Sequence, residues 1–366
     1  MQQTVPPTMQ AMLLTGHGGY DKLVFRDDVP TPVPMAGEVL IQVHACGLNN
    51  TDINTRTAWY SKGVTSNTSD TAQDNADDED AGWGGTSITF PRIQGADVAG
   101  TVVALGEGAN PSLLGQRVMI DTWLRDWDHP LDMNRTGYYG SELDGGYAQY
   151  TKIDQRHVHV VDCALSHAEL ATFATSYITA ENMLERANVA DGDTVLVTGA
   201  SGGVGSALIQ LAHRRGARVV ALSGESKHEQ LAALNPAAIL PRSPVHLADA
   251  LEDALGVRSV SVVADVVGGM LFGQLIDALD RGGRFTCAGA IAGPIVEFDL
   301  RTFYLKDLTF TGATIVPPGL FARLVSYIER GEVQPLLAKT FPLQALHEAQ
   351  KAFVAKEHLG NIVVEP

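Results

Sequence analysis

The sequence predicts an α/β protein of two domains, one rich in short β-strands and one built as a doubly wound parallel sheet. The chain has 366 residues, which is enough for two hydrophobic cores at roughly 150 residues per domain. Short apolar runs separated by Pro and Gly occupy much of residues 9–152. From Ser166 onward, apolar strands alternate with helical patterns, which is typical of a parallel sheet with crossover helices.

The first half carries the signals of an antiparallel, β-rich domain. We predict strands at 11–14, 38–43, 97–105, 117–120 and 147–152, each next to a Pro-rich or Gly-rich turn. No helical pattern separates consecutive strands there, so crossover connections are not expected.

An acidic segment, residues 66–85, interrupts this domain. It has no Lys or Arg, and its acidic residues are Asp70, Asp74, Asp77, Asp78, Glu79 and Asp80. Such a run buries too little apolar surface to order itself, and nothing apolar anchors residues 66–80, so we predict a solvated, mobile insertion. Two interpretations stay open beside it: a lid with Trp83 at its end, and an acidic docking site for a partner or a cation.

The second half predicts the parallel sheet. Ser166 and Glu169 form a capping box before a helix predicted over 168–187. A buried strand at 194–197 precedes an amphipathic helix that Gly216 ends. Further strands are predicted at 217–222, 238–240, 259–265, 283–287 and 308–312.

A glycine-rich loop joins the first strand of this sheet to its helix. Its sequence is Gly199-Ala200-Ser201-Gly202-Gly203-Val204-Gly205. Backbone N–H groups in such a turn can approach a pyrophosphate, and the helix N-terminus adds partial positive charge. Because the flanking strand, helix and second strand all fit, the sequence predicts a Rossmann dinucleotide-binding domain.

The end of the second strand bears on the choice of cofactor. An acid there would accept hydrogen bonds from the adenosine ribose of NAD, but this chain has Ser223 followed by Gly224. The small serine leaves room for a 2′-phosphate, and Lys227 and Arg242 offer counter-charges. We therefore predict NADPH. The alternatives are that Glu225 binds the ribose of NADH and that Lys227 is only solvated.

Motifs along nearly the whole chain resemble the medium-chain dehydrogenase/reductase superfamily. They are Cys46-Gly47-Leu48-Asn49-Asn50-Thr51-Asp52, Gly95-Ala96-Asp97-Val98-Ala99-Gly100, Gly145-Gly146-Tyr147-Ala148-Gln149-Tyr150, the glycine loop, Asp265-Val266-Val267-Gly268-Gly269 and Leu359-Gly360-Asn361-Ile362-Val363-Val364. The resemblance implies a GroES-like catalytic domain, residues 1–162 and 316–366, that contains the acidic insertion. It also implies an inserted Rossmann NADP-binding domain at 163–315, with the active site in the cleft.

Zinc-dependent members of this superfamily carry three ligands at positions where this chain has Asn49, Ala96 followed by Asp97, and Thr175. A tetrahedral catalytic zinc needs three good protein ligands, and Asp97 alone cannot supply them. The four cysteines of the structural zinc site are also missing, since the chain has only three cysteines and no CxxC pair. We predict no metal site, reduced thiols, and Cys46 as a buried small hydrophobic residue.

The chain therefore resembles the zinc-independent quinone oxidoreductases and enoyl-thioester reductases. These enzymes have an Asn at the position of Asn49, and Tyr60 aligns without a gap with the proposed proton donor of mitochondrial enoyl reductases. Quinone oxidoreductases often have a Tyr where this chain has Asn54. Candidate catalytic donors are Asn49, Tyr60 and Thr179. Structural alternatives stay open for each: a turn amide, a rim aromatic, and a hydroxyl bonded to its own helix or to the cofactor.

A site without zinc favours a substrate whose negative charge spreads after hydride addition. Addition to a quinone or to an α,β-unsaturated carbonyl gives a phenolate or an enolate that hydrogen-bond donors can hold. We therefore predict NADPH-dependent reduction of a quinone, an enone or an enoyl thioester. Two alternatives are a zinc-free NADP-dependent alcohol or carbonyl dehydrogenase and a non-catalytic NADPH-binding interaction protein.

The net charge of −16 makes nucleic acid and anionic membrane partners unfavourable. No apolar run has the length of a spanning helix, and residues 1–10 lack a signal-peptide pattern. We expect a cytoplasmic homodimer that acts on a small molecule. The predicted cofactor-binding residues are Gly199, Ser201, Gly202, Gly203, Val204, Ser223, Lys227, Arg242, Val267, Gly289 and Asn361, the last standing where relatives often have a Lys.

Overall fold

The computed structural model describes residues 5–69 and 71–366, so residues 1–4 and Asp70 of the acidic insertion lie outside the described part. The strands are β1 (Thr8–Leu14), β2 (Leu23–Pro30), β3 (Glu38–Gly47), β4 (Arg92–Ile93), β5 (Asp97–Leu105), β6 (Arg117–Ile120), β7 (Trp123–Arg125), β8 (Thr136–Tyr138), β9 (Tyr150–Asp154), β10 (Val158–Val160), β11 (Thr194–Val197), β12 (Arg218–Ser223), β13 (Ala238–Pro241), β14 (Val260–Asp265), β15 (Leu279–Cys287), β16 (Thr309–Gly312), β17 (Leu337–Pro342) and β18 (Asn361–Glu365). The helices are α1 (Asn50–Arg56), α2 (His167–Leu170), α3 (Ala174–Arg186), α4 (Gly203–Arg214), α5 (His228–Ala232), α6 (Leu247–Leu255), α7 (Phe272–Asp277), α8 (Leu300–Leu305), α9 (Leu320–Glu329) and α10 (Leu346–Ala355). None of these helices is both long and apolar enough to span a bilayer.

The described residues divide into two compact units. The first lies within Met1–Val64, Ser69–Thr175 and Phe321–Pro366, and the second within Thr65–Thr68 and Ser176–Leu320. These limits differ from the predicted boundaries at residues 162 and 316. Helix α2 packs on β3 and β5, which places it in the first unit. The Thr68 N–H donates to the Ile291 carbonyl at 3.1 Å, which is a contact inside the second unit.

The first unit contains the predicted β-rich domain. Its main sheet has the order β10-β6-β5-β3-β18-β17, with β9 also paired to β3. Strand β3 runs antiparallel to β5, β9 and β18, so both ends of the chain build one sheet. A three-stranded sheet, β2-β1-β4, and the hairpin β7-β8 complete the unit. The GroES-like prediction is confirmed, and the strand pairs formed within residues 8–160 are antiparallel as predicted. Strands β17 and β18 are parallel, and β2, β4, β10 and the hairpin were not predicted.

Two predicted elements have different limits in the structure. The strand predicted at 147–152 begins only at Tyr150, because the N–H groups of residues 145–147 donate to carbonyls of residues 93–95 at 2.7–2.9 Å. The helix predicted over 168–187 is wrong as one helix, since α2 ends at Leu170. The Thr172 hydroxyl donates to the Glu169 carbonyl at 2.7 Å and caps that end, and α3 begins after the fully buried Phe173.

The second unit confirms the doubly wound prediction. Its six strands are parallel in the order β13-β12-β11-β14-β15-β16. Strand β11 lies between β12 and β14, so the sheet grows first to one side and then to the other. Ligands of such sheets bind at the carboxyl ends of the strands near this reversal. Leu196, Val220 and Val263 are fully buried in the core beneath it.

The acidic insertion has no helix or strand in its described residues. Asp74, Asp78 and Glu79 are exposed, as the solvated prediction requires. The expectation that nothing apolar anchors residues 66–80 stays a prediction. Just beyond them Ala81 is fully buried and the Trp83 ring lies 4.8 Å from that of Trp123. The acids therefore lie on a segment that aromatic packing attaches to the first unit.

We expect Trp83→Ala to lower the free energy of unfolding by about 1–3 kcal/mol, because it removes a partly buried ring packed on Trp123 and Tyr138. The control Asp78→Asn/Glu79→Gln alters only exposed acids and should change stability by less than about 0.5 kcal/mol. Urea unfolding measures both. Unchanged stability in Trp83→Ala would show that the ring does not anchor the insertion.

Candidate active site

The start of helix α1 is tied to the motif around Tyr147 by one carboxyl group. The Asn49 N–H donates to Oδ2 of Asp52 at 2.8 Å, which is the backbone half of a capping box. The Tyr147 hydroxyl donates to the same oxygen at 2.8 Å. Burial raises the pKa of Asp52 to about 6, although these donors lower it.

Close packing at Gly95 holds this motif in place. Its φ is +94°, and a Cβ there would lie 2.7 Å from Sγ of Cys46 and 2.7 Å from the ring of Tyr147. Only glycine fits such a position. Cys46 is fully buried and burial raises the pKa of its thiol, so the prediction of a buried small hydrophobic residue is confirmed.

The positions at which zinc-dependent members carry ligands come together in the first unit. The Thr175 N–H donates to Oδ1 of Asp97 at 3.0 Å, and the Thr175 hydroxyl donates to the same oxygen. The Asn49 amide faces the Asp97 carboxylate and lowers its pKa. In residues 5–69 and 71–366, no group of three or more His, Cys, Asp or Glu side chains could hold a metal ion.

Asp97 is fully buried, and burial together with the nearby charge of Asp52 raises its pKa to about 7, although the hydrogen bonds of Thr175 and Asn49 lower it. Neither acid forms an ion pair with another described residue. Nδ2 of Asn49 and Oδ2 of Asp97 are buried and make no hydrogen bond of normal geometry within the described chain. The cluster therefore holds an amide that faces a carboxyl group without a hydrogen bond of normal geometry between them.

Tyr138 joins this cluster from the hairpin β7-β8. Its hydroxyl lies 2.7 Å from Oγ1 of Thr175, and its ring packs 5.3 Å from that of Trp123. Burial raises its pKa well above the ordinary value. No motif pointed to Tyr138. The only sequence signal was the aromatic and acidic composition of residues 121–139, which indicated an unusual local structure but no particular residue.

Tyr60 lies four residues beyond α1 and is half-buried. Burial raises the pKa of its hydroxyl, and hydrogen bonds with the side chains of Thr51 and Asn54 lower it, so the phenol stays protonated at neutral pH. Tyr60 is also close enough to Tyr138 to raise the pKa of that residue. The structure thus brings the predicted donor Tyr60 near the tyrosine that sequence reasoning missed.

The glycine loop of the second unit has the geometry of a phosphate cradle. Gly199 has a φ of +58°, and a Cβ on Gly205 would lie only 2.2 Å from the Gly199 carbonyl oxygen. Helix α4 begins at Gly203 with the exposed Gly202 as its N-cap, flanked by Ser201 and Val204. The first N–H groups of a helix have no partner inside it, so they are available to an anion.

The residues predicted to select NADPH lie at the end of β12. Ser223 is buried there and pairs with Pro241 of β13, so Arg242 follows directly beside it. A Cβ added to Gly224 would lie 3.2 Å from Nη2 of Arg242. Lys227 is half-buried at the end of a short 3₁₀ turn. The guanidinium of Arg242 therefore lies beside the end of β12.

The remaining predicted residues are divided between the units. Val267 follows β14 and donates its N–H to the buried Asp265 carboxylate at 2.9 Å. Gly289 follows β15, where a Cβ would lie 3.0 Å from the Val266 carbonyl oxygen. Thr179 is half-buried in α3 of the second unit. Asn361 belongs to the first unit, where it is buried at the start of β18.

The buried acids predict a specific dependence of stability on pH. Folded Asp97 keeps its proton to about pH 7, whereas an unfolded Asp loses it near 4. Between these values the folded state binds more protons, so the free energy of unfolding falls as pH rises. Between pH 5 and pH 8 we expect Asp97→Asn to remove about 2–3 kcal/mol of this fall, and we expect the variant to be more stable than wild type at pH 8.

Urea unfolding at pH 5 and pH 8 measures the effect, with the exposed Asp78→Asn as the control. An Asp97→Asn variant that keeps the wild-type pH dependence would show that Asp97 is ionised throughout this range.

Comparisons with known proteins agree with this architecture. The family model of the alcohol dehydrogenase GroES-like domain matches residues 35–162, and that of the zinc-binding dehydrogenases matches residues 203–330. Human quinone oxidoreductase is 25% identical over 354 residues, which cover 94% of each chain.

Two solved structures are similar over nearly the full length. A Sinorhizobium meliloti protein, provisionally described as an alcohol dehydrogenase, is 46% identical with a TM-score of 0.89, and the match covers 99% of this chain and 98% of that one. A thermostable alcohol dehydrogenase from Pyrobaculum aerophilum, with cobalt and zinc bound, is 27% identical with a TM-score of 0.81. This match covers 98% of this chain and 100% of the other. The chain therefore belongs to the medium-chain dehydrogenase/reductase superfamily of nicotinamide-dependent oxidoreductases.

Proposed function

We propose that this protein uses NADPH to reduce a quinone or an α,β-unsaturated carbonyl compound, and that it works without a catalytic metal. The observation that carries the proposal is the cluster of Asn49, Asp97 and Thr175. It places two uncharged hydrogen-bonding side chains and one buried carboxyl group where metal-dependent relatives have ligands, and the buried Nδ2 of Asn49 faces Asp97 without a hydrogen bond of normal geometry.

The donors suit an anion whose charge is delocalised. Reducing a simple ketone concentrates charge on one oxygen, which a metal ion stabilises as a Lewis acid. An enolate or a phenolate spreads that charge, so hydrogen bonds are enough to hold it. Asn49 and Tyr60 would each donate one such bond, worth about 1.5–3 kcal/mol to a charged acceptor.

The second unit fits a phosphorylated dinucleotide. Gly199 and Gly205 form a cradle that side chains would fill, and Arg242 stands at the strand end beside the small Ser223. When bound, the dihydronicotinamide supplies the hydride, while the protein supplies position and electrostatics. Human quinone oxidoreductase, a relative that matches 94% of this chain, supports a quinone-like acceptor by its name.

A second candidate function is a zinc-free NADP-dependent alcohol or carbonyl dehydrogenase. The Sinorhizobium relative, described as an alcohol dehydrogenase, favours it through its 46% identity. It predicts oxidation of alcohols with NADP, which the first proposal does not. A non-catalytic NADPH-binding protein, in contrast, would bind the cofactor but would not oxidise it, whichever acceptor is offered.

The edge of the second unit's sheet supports the expected homodimer. Strand β16 pairs with β15 on one side only within the described sheet, so its other edge offers free backbone groups. The segment before it exposes large apolar side chains, with Leu300 65%, Tyr304 60% and Leu305 57% exposed. Such a patch is typical of an interface.

We expect purified protein to oxidise NADPH with quinones, short enones or enoyl thioesters as acceptors. Its zinc content after dialysis should stay well below one atom per chain, and a chelator should leave turnover unchanged. Absorbance of NADPH and elemental analysis measure these quantities. Stoichiometric zinc with chelator-sensitive activity, or turnover of simple alcohols alone, would contradict the proposal.

We expect Arg242→Ala to weaken NADPH binding by about 1.5–3 kcal/mol, or roughly 10- to 150-fold, and to leave NADH binding nearly unchanged, because only NADPH has the 2′-phosphate. Lys227→Ala should have a smaller effect in the same direction. Arg301→Ala, an exposed arginine paired with Asp299, is the control. Titration of cofactor fluorescence measures both affinities, and an equal loss for the two cofactors would contradict the assignment.

We expect Leu300→Asp/Tyr304→Asp to convert the homodimer into a monomer, since buried unpaired carboxylates oppose association. Sedimentation velocity measures the mass. The exposed pair Met133→Asp/Leu131→Asp of the first unit is the control and should stay dimeric. A monomeric wild type would contradict the predicted assembly.

A further inference from the structure

Three proton-exchanging groups form a continuous chain in the first unit. The Tyr138 hydroxyl is 2.7 Å from Oγ1 of Thr175, and the Thr175 hydroxyl is hydrogen-bonded to Oδ1 of Asp97. The main-chain N–H of Thr175 also donates to that oxygen at 3.0 Å, which fixes the threonine in place. Packing of the Tyr138 ring against Trp123 and Trp83 holds the other end of the chain.

The direction of the hydrogen bonds depends on the proton of Asp97. When the carboxyl is ionised, Thr175 must donate to it, and Tyr138 then donates to Thr175 because a hydroxyl has only one proton. When the carboxyl carries its proton on Oδ1, that oxygen donates to the Thr175 hydroxyl and Thr175 donates to Tyr138. In that state the proton of Tyr138 is available to another acceptor.

We propose that Tyr138 protonates the anion formed by hydride addition, and that Thr175 and Asp97 resupply its proton. This inference rests on the proposed reduction of a conjugated acceptor. The new C–H or O–H bond of the product forms as the Tyr138 O–H bond breaks. Tyr138 takes the proton of Thr175, and Thr175 takes that of Asp97, which is left as a carboxylate until solvent reprotonates the chain. The electron pair travels with the hydride, so the relay moves protons only.

The surroundings of Asp97 favour a stored proton. The titratable groups that face it are Cys46 of β3, Asp52 of α1, Tyr138 of β8 and Tyr147, all of them neutral or acidic. None of these groups is a cation that would hold the carboxyl ionised. Burial raises the pKa of Asp97 to about 7, so both directions of the hydrogen bonds between Tyr138, Thr175 and Asp97 are populated near neutral pH.

Tyr60 and Tyr138 have different partners, which separates their roles. The hydroxyl of Tyr60 interacts with Thr51 and Asn54, neither of which carries an acidic proton at neutral pH. Tyr138 is connected to a carboxyl group through one threonine. Tyr60 is therefore suited to holding the anion, and Tyr138 to transferring a proton to it.

The test compares turnover of an enone by Tyr138→Phe, Thr175→Val, Tyr60→Phe and a matched control, Tyr139→Phe. Tyr139 is the neighbouring buried tyrosine, and its hydroxyl bonds to Thr151 instead. Loss of a general acid typically costs about 10²- to 10⁴-fold, so we expect that loss in Tyr138→Phe, a similar loss in Thr175→Val, and wild-type turnover in Tyr139→Phe. Tyr60→Phe should lose only about 10- to 150-fold.

The pH profile separates a relay from a structural role. Wild-type kcat should fall as pH rises through about 7. An ionised Asp97 accepts the proton of Thr175, so Tyr138 donates to Thr175 and not to the substrate. This limb should be absent in Tyr138→Phe and in Asp97→Asn. An infrared difference spectrum between pH 6 and pH 8 provides a readout without turnover. The carbonyl band of the buried acids should keep most of its intensity in Asp52→Asn, lose most of it in Asp97→Asn and shift in Thr175→Val.

The outcomes distinguish this inference from the proposed function. If the wild type reduces no quinone, enone or enoyl thioester, the proposed function is wrong and the inference fails with it. If the wild type is active and Tyr138→Phe keeps full turnover, or loses turnover but keeps the limb near pH 7, only the relay is wrong.

Discussion

The burial of two carboxyl groups, Asp52 and Asp97, is the constraint on which the first unit depends. A carboxyl removed from water must be hydrogen-bonded or protonated, and the contacts described for these two come from uncharged donors. Those donors are supplied by the start of α1, by Tyr147 and by the start of α3. The hydrogen bonds to the two acids therefore fix three separate segments relative to one another. Because Tyr147 must reach Asp52, its ring packs closely against position 95, where only glycine leaves enough room.

The same constraint shapes the chemistry. Because Asp97 is engaged by Thr175, the cluster offers hydrogen bonds and an exchangeable proton in place of strong metal ligands. Such groups stabilise delocalised anions well and localised alkoxides poorly, which is why a conjugated acceptor is the substrate class that we infer. The second unit contributes independently: its glycine cradle and Arg242 depend on the geometry of the parallel sheet and not on the two acids.

Periodicity and turn residues predicted most of the second unit, since each strand there is a short apolar run ended by a turn and the loop from Gly199 to Gly205 has a local geometric cause. Residues that act through tertiary contacts could not be predicted in this way. Tyr138 reaches Thr175 across 37 positions of sequence, from a hairpin without a motif. The break between α2 and α3 depends on a side-chain cap at Thr172, which helical periodicity does not report. Asn49 and Tyr60 were predicted only through a resemblance, and their chemical roles remain proposals.

The central claim is that hydride reaches a carbon conjugated with a carbonyl group and that a proton follows separately. Reduction of an enone with NADPH carrying deuterium at the transferable position, followed by NMR of the product, tests this most directly. We expect deuterium at the β-carbon, a solvent-derived proton at the α-carbon and an intact carbonyl group. Deuterium at the carbonyl carbon, with an allylic alcohol as the product, would contradict it.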